Sequence, residues 1–463
     1  MRLRILFLLF LFLSGSGLAQ VTIRLDVLPA RYTPAMDTLY VAGNFNDWNP
    51  RSHAHRFMKN AFGQWETQIA TSLASLEYKI TRGNWATVEV AASGQDIPNR
   101  SLSNMPGSVV AIQVADWADT KGTHTATANV SILTSQLWLA PLKRYRRIWI
   151  CLPPGYEAND TTRYPVAYFH DGQNVFDAAT SFSGEWKVDE ALNQLAQSAG
   201  WQPVIAVAID NGGGERINEL TPFRHSTYGG GQGELYGQSV VECVKPLIDS
   251  LFRTRKEAEH TAICGSSLGG IESLYMGFAL PGVFSKVLAF SPSLWFSDSL
   301  QNFLLAQPTP LQSRIYFLCG TNEGDPDMVP DMNSCYTALV ASGYPPNSIT
   351  KQVISGGTHS EGFWSQHVKA GLQWLFTETT PVKKNENRVG EPFQIQVQEE
   401  KIVLKLTEDE HHTGFIQLSD AYGRIMAMER FSGSYWASRP LVPGVYTIRI
   451  FCTTGVFTKR LIR

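Results

Sequence analysis

Apolar and polar residues alternate with period two at both ends of the chain, and the period changes in the middle. Val21-Thr22-Ile23-Arg24-Leu25-Asp26-Val27 reads as a strand with one buried face, as do Leu39-Tyr40-Val41-Ala42, Gln64 to Ile69 and Leu76 to Ile80. Gly43-Asn44, Asn46-Asp47 and Gly63 supply the turns between them. A small β-sandwich over 21–115 would bury these strands. Residues 116–140 begin polar and threonine-rich and read as a linker. From 141 to 378 short, nearly continuous apolar runs alternate with longer helical stretches. Arg147 to Cys151, Pro165 to Phe169, Pro203 to Ile209, Thr261 to Cys264, Val287 to Phe290 and Arg314 to Leu318 are the runs expected of parallel strands covered on both faces. Lys187 to Leu195, Gly237 to Leu251 and Phe363 to Phe376 fit helices. Residues 379–390 form a second polar linker, and 391–463 return to period two as a small β-module. The expectation is a multidomain chain with a central α/β domain, its sheet mostly parallel and flanked by helices, and small β-sandwich modules at both ends.

The first 20 residues follow a different rule. Arg2 and Arg4 precede an unbroken apolar run of nine residues, Ile5 to Leu13, and Gly17-Leu18-Ala19 ends it with small residues. The run is too short to span a bilayer and fits a secretory signal peptide cleaved near Ala19 or Gln20. No transmembrane span is expected elsewhere. The 463 residues carry 39 basic and 41 acidic side chains. The near balance leaves no single-sign field for nucleic acid. Six cysteines (Cys151, Cys243, Cys264, Cys319, Cys335 and Cys452) are too few for a disulfide scaffold. Most are expected as buried thiols, with a Cys319–Cys335 pair as the alternative. No Cys/His cluster suggests a structural metal.

Gly265-Ser266-Ser267-Leu268-Gly269-Gly270 follows an apolar strand and precedes a helix-like stretch. This G-x-S-x-G turn exposes a serine hydroxyl above a sheet and aims helix N-terminal N–H groups at developing negative charge. Ser267 is therefore the candidate nucleophile. A serine needs a base, and His359 in Gly356-Gly357-Thr358-His359-Ser360 supplies one; His367 lies within a helix and is the poorer choice. An acid between them in chain order would orient the imidazole. Glu323 is the first choice in the loop after Arg314 to Cys319, with Asp325, Asp327 and Asp331 as alternatives. Leu268 offers one main-chain N–H for an oxyanion. The second donor is expected from the His170-Asp171-Gly172-Gln173-Asn174 loop, at Gln173, with Gly172 as its rival. Trp186 and Asp189 are expected to close one wall of the site, or else to start and pack a helix. Residues 212–236 read as a substrate-side loop.

Ile150-Cys151-Leu152-Pro153-Pro154-Gly155-Tyr156, His170 to Asn174, Gly265 to Gly270 and the His359 segment together make residues 141–378 resemble the esterase family of α/β hydrolases. That family includes feruloyl and acetylxylan esterases, ferric-enterobactin esterase and mycolyltransferases. The resemblance implies an α/β-hydrolase fold and a serine–acid–histidine triad at Ser267, Glu323 and His359. It implies an acyl-enzyme route on an acylated polysaccharide or small ester, with no cofactor and no metal. Related feruloyl esterases often carry aspartate where this chain has Glu323. An acyltransferase or peptidase on the same triad, and a non-catalytic carbohydrate-binding protein, are the alternative readings.

The flanking modules carry resemblances of their own. Gly43 to Pro50 includes Phe45 and Trp48, and Glu77-Tyr78-Lys79 precedes Trp85. By these motifs residues 21–115 resemble starch- or glycogen-binding modules. That implies an α-glucan ligand stacked on Trp48 and Trp85 and bonded by Lys79 and Asn99; a packing role for both indoles is the alternative. Gly414 to Met426, Pro443 to Arg449 and the final Lys459-Arg460-Leu461-Ile462 make residues 391–463 resemble sorting modules of the Bacteroidetes type IX secretion system. That implies the type IX secretion machinery as a partner, and a secreted or cell-surface product exported across both membranes.

Overall fold

Eight strands between Val130 and Ile354 form the central sheet. They are numbered here β1 (Val130–Leu139), β2 (Arg144–Cys151), β3 (Val166–Phe169), β4 (Ile205–Ile209), β5 (Thr261–Ser266), β6 (Lys286–Phe290), β7 (Arg314–Gly320) and β8 (Ile349–Ile354). Their spatial order is β1-β2-β4-β3-β5-β6-β7-β8. β1, β2 and β4 pair antiparallel; every pair from β4 onward is parallel. The computed structural model describes residues 19–158, 161–307, 313–345, 347–377, 393–398, 401–406, 413–420, 425–432, 435–452 and 455–462. The signal segment apart from Ala19 and Gln20, and the linker at 379–390, lie outside them. Among the described residues no helix is long and apolar enough to cross a membrane.

The apolar runs behave as their composition requires. Every residue of β3, β4 and β5 is buried, because helices cover both faces of parallel strands. The helices that matter for the site are α1 (Val188–Leu195), α2 (Leu268–Ala279), α3 (Met328–Ala341) and α4 (Glu361–Phe376). A side chain at Gly371 of α4 would come within 2.6 Å of Leu288 Cδ1, so this glycine lets α4 approach β6. Trp186 stacks on Phe290 of β6, with ring centroids 5.4 Å apart and planes 14° apart. Each such fully buried large apolar side chain contributes about 1.5–3 kcal/mol.

Three elements differ from the sequence expectation. β1 falls inside the span read as a linker, yet it forms the edge of the central sheet. The cause is visible in hindsight: Val130, Ile132 and Leu139 are buried, behind the threonine-rich start. The helix expected over Gly237 to Leu251 is a composite, Gly233–Ser239 and Lys245–Leu251 joined by a π-turn at Val240–Val244. Pro246 has no N–H to donate to the preceding turn, which loosens the ladder there. The strand expected to begin at Val21 starts at Ala19 and pairs through Gln20 with Ala70. Cys151, Cys264, Cys319 and Cys335 are buried thiols and Cys243 is partly buried; the Cys452 side chain lies outside the described residues.

Two units divide the chain at Gly122. The first is built on sheets of four and three strands. Tyr40–Gly43 and Arg100–Ser103 flank Ser75–Thr81 in one; Ala19–Val27 lies between Trp65–Thr71 and Val109–Gln113 in the other. The described part of the C-terminal region, from Phe393 onward, adds one sheet of three strands and one of four.

Candidate active site

β5 ends in a turn that only glycine permits. A Cβ at Gly265 would lie 2.5 Å from the Gly269 carbonyl oxygen and 2.8 Å from His170 Cδ2. Between these glycines Ser267 takes φ 56° and ψ −123°, a strained conformation for a residue with a side chain. Such strain persists only when the surroundings impose it, and here they are explicit. The Ser267 N–H donates to the Phe290 carbonyl at 3.0 Å, and its carbonyl accepts from the Ser293 N–H at 3.2 Å. The Ser267 hydroxyl pairs with the Ser293 hydroxyl at 3.2 Å. The strained turn that carries the hydroxyl is thus braced by the turn after β6.

That same turn also reaches the acid. Ser291 is wholly buried with φ 41°. Its hydroxyl donates to Glu323 Oε1 at 2.6 Å and accepts from Trp364 Nε1 at 2.9 Å. Glu323 Oε1 also accepts the Gly320 N–H at 2.5 Å, and Oε2 lies 3.0 Å from His359 Nδ1. The Glu323 carboxylate has no solvent exposure, whereas the His359 side chain keeps 30%. Burial raises the Glu323 pKa, but the bonds from His359, Ser291 and Gly320 outweigh it and hold it below the usual carboxylate value. With Nδ1 facing the carboxylate, Nε2 is the imidazole nitrogen left for a proton from elsewhere. Among the described residues no hydrogen bond joins Ser267 Oγ to the His359 ring.

The structure therefore brings Glu323 and His359 together, and gives the alternatives other surroundings. Asp325 accepts the Asp327 N–H at 3.0 Å, and Asp331 lies on α3. His367 packs against Phe363 with ring centroids 4.8 Å apart.

The proposed oxyanion donors lie at two adjacent strand ends. The His170 N–H donates to the Cys264 carbonyl at 3.0 Å, joining the end of β3 to the end of β5. Gly172 to Asn174 form one 3₁₀ turn, and Leu268 opens α2. The Gln173 and Leu268 main-chain N–H groups have no acceptor among the described residues. Trp186 and Asp189 do not line a wall. Trp186 is 4% exposed against Phe290 and Trp364, and Asp189 is wholly buried, accepting from the Thr127 N–H and hydroxyl at 2.7 Å each. Trp186 packs just ahead of α1, and Asp189 ties the first turn of α1 to Thr127. Glu185, Asp189 and Glu190 can bring oxygens within 4.8 Å of one another, the one group of potential metal ligands among the described residues.

Several contributors carried no sequence signal as strong as the G-x-S-x-G turn. They are Ser291 and Ser293 in Ser-Pro-Ser after β6, Trp364 on α4, and Glu361, which accepts from Asn174 Nδ2 at 3.0 Å and from Ser183 Oγ at 2.7 Å. Position at the C-terminal end of a parallel strand was the available clue, since open α/β sheets place their sites there.

In the first unit, Trp48 and Trp85 lie side by side, ring centroids 6.3 Å apart and planes at 41°. Trp85 is 45% exposed. Lys79 and Asn99 point to protein partners: Lys79 Nζ donates to the Ile97 carbonyl, and Asn99 Nδ2 to Glu77 Oε2 at 3.4 Å.

Comparison with known proteins agrees with the central domain. The uncharacterized protein YbbA of Bacillus subtilis (strain 168) is 22% identical over 243 residues, 50% of this chain and 92% of that protein. The iron(III) enterobactin esterase of Dickeya dadantii (strain 3937) is 26% identical over 258 residues, 52% of this chain and 54% of that esterase. An alpha-amylase of Niallia circulans is 39% identical over 102 residues, 22% of this chain and 8% of the amylase. Residues 140–375, just over half of the chain, match the family described as "Putative esterase", and the chain belongs to that esterase family.

Proposed function

We propose that the protein is a serine carboxylesterase. Ser267 Oγ attacks the ester carbonyl carbon while His359 Nε2 takes the hydroxyl proton. Glu323 holds the imidazole by Nδ1 and stabilises its cationic form. The carbonyl oxygen becomes an oxyanion facing the Leu268 and Gln173 N–H groups. Collapse breaks the C–O bond to the alcohol, which leaves with the proton from His359. Water, deprotonated by the same ring, then attacks the acyl-enzyme and releases the acid and Ser267. Before attack, the Ser267 hydroxyl exchanges Ser293 for His359; catalytic hydrogen bonds often tighten only once substrate is bound.

The observation that carries this reading is the Glu323–His359 pair in the domain whose strained turn exposes Ser267. It is tested with p-nitrophenyl acetate and a fluorophosphonate probe. Wild type is expected to turn over the ester and to gain the probe's mass at Ser267. Ser267→Ala is expected to lose at least about 10³-fold in kcat and all labelling. Equal rates for wild type, Ser267→Ala and buffer would refute it.

The substrate we propose is an acyl group, acetyl or feruloyl, on a glycan. The Trp48–Trp85 pair supports a glucan platform in the first unit, because two partly exposed indoles side by side offer flat faces for sugar rings. The alpha-amylase similarity is in keeping with it. Starch pull-down of wild type against Trp48→Ala and Trp85→Ala tests the platform, and equal retention of all three would remove it. Export by the N-terminal signal and sorting by the C-terminal module complete the proposal of a secreted or surface enzyme.

A further inference from the structure

Arg216 lies outside the catalytic motifs, in the 212–236 stretch that follows β4 and reads from sequence as a substrate-side loop. Its guanidinium grips Asp171 with both prongs, Nε to Oδ1 at 2.7 Å and Nη2 to Oδ2 at 2.9 Å. Asn211 from the same segment adds two bonds. Its Nδ2 donates to Asp171 Oδ1 at 2.6 Å, and its main-chain N–H donates to Gln173 Oε1 at 3.1 Å. Four hydrogen bonds thus fasten the 171–173 turn to the 211–216 segment.

The turn has reasons to need fastening. Asp171 sits at φ 53°, a left-handed conformation that costs an L-residue about 1–2 kcal/mol. Gly172 lies so close to the end of β4 that a Cβ there would be 2.7 Å from Asp210 N. On its other side Asp171 Oδ2 would be 3.4 Å from a Cβ at Gly269, so the turn is wedged between β4 and the nucleophile turn. The far end of the turn is held separately: Thr180 Oγ1 donates to the Gln173 carbonyl at 2.9 Å, Asn174 Nδ2 donates to Glu361 and Ser183, and Asn174 accepts the Trp186 N–H at its carbonyl and the Phe182 N–H at its Oδ1. Among the described residues no other hydrogen bond reaches the Asp171 carboxylate. Asp171 is buried, yet the charge and hydrogen bonds of Arg216 keep its carboxyl ionised below the usual range.

We infer that Arg216, acting through Asp171 and together with Asn211, is a positioning residue that sets where the Gln173 N–H meets the oxyanion. The inference rests on the esterase reading above and assigns to the 211–216 segment a role in the chemical step. The fork matters as well as the charge. A lysine ammonium can neutralise Asp171 but cannot hold both oxygens in one plane. Loss of a whole oxyanion donor costs about 10²–10³ in kcat, and a donor displaced by a fraction of an ångström loses part of that.

The test compares a trifluoromethyl ketone, which adds to Ser267 and forms an oxyanion, with the secondary alcohol of the same shape, which does not. In Arg216→Gln, kcat/KM for p-nitrophenyl acetate is expected to fall about 10–100-fold. Ketone affinity should fall by the same factor, with alcohol affinity unchanged. Arg216→Lys, which keeps the charge and the fold, should show a smaller loss with the same ketone-only signature. If ketone and alcohol affinities fall together, or activity falls only in proportion to folded protein, Arg216 is merely structural and the inference is overturned. If Arg216→Gln does not fold, Arg216→Lys alone decides by the same two ligands. A wild-type enzyme that neither turns over the ester nor binds the ketone refutes the esterase reading itself, and the inference with it.

Discussion

Ser291→Ala removes one hydroxyl that serves two buried partners. In the native protein that hydroxyl donates to Glu323 Oε1 at 2.6 Å and accepts from Trp364 Nε1 at 2.9 Å. A hydrogen bond to a charged group is worth about 1.5–3 kcal/mol. Losing it removes one of the bonds that hold the carboxyl low, so the Glu323 pKa should rise. The sign is fixed. Glu323 is held low in the folded state, so its contribution is present above about pH 4–5 and is lost as pH falls through the folded pKa. The variant should lose activity at a higher pH than wild type. The assay is kcat/KM against pH for p-nitrophenyl acetate, with circular dichroism to establish folding at each point. The orphaned Trp364 N–H adds about 1–3 kcal/mol of destabilisation, which urea unfolding at neutral pH reads separately. Ser291→Gly is the control. It lacks the same hydroxyl but relieves the strain of φ 41°, so it should share the shift of the acid limb while being more stable than Ser291→Ala. An acid limb that moves in neither variant would refute the coupling of Ser291 to the triad acid.

Other outcomes are open to measurement. His170 is buried, with Nδ1 bonded to the Tyr236 hydroxyl at 2.8 Å, and burial lowers its pKa from 6.5 to about 4. The unfolded chain binds the proton first, so stability should fall by roughly 3 kcal/mol as pH drops from about 6.5 to 4. The loss should be absent from the stability–pH curve of His170→Gln, measured by urea unfolding at several pH values; parallel curves for both proteins would contradict it. Gly172→Ala pushes a Cβ to within 2.7 Å of the main chain at Ile209 and Asp210. It should cost about 1–3 kcal/mol and lower kcat, and a stable, fully active variant would show that the turn can shift. Gly265→Ala, with a carbonyl 2.5 Å from the new methyl, should abolish labelling by the fluorophosphonate or prevent folding. A labelled, active variant would refute the crowding there.

The sequence by itself determined whatever depends on local pattern. Period two placed the strands at both ends, apolar runs placed the parallel strands, and the glycines around Ser267 marked the bend, because each is written in neighbouring side chains. His359 and Glu323 were legible as residue types after strands in the right chain order. Their 3.0 Å contact was not, since 36 residues separate them and only the parallel pairing of β7 with β8 brings their loops to one edge. β1 was misread as linker because its polar face and threonine-rich lead hide an edge strand until a partner, β2, exists to pair with it. For Trp186 the sequence left a wall of the site and helix packing both open, since one pattern serves an indole on either side of a surface, and the structure places it in the core against Phe290 and Trp364. Ser291, Ser293 and Asn211 had no readable role, and Arg216 was legible only as part of the 212–236 stretch read as a substrate-side loop. Each acts through a hydrogen bond to a residue between 26 and 45 positions away, and a bond of that kind exists only after the sheet has chosen its strand order.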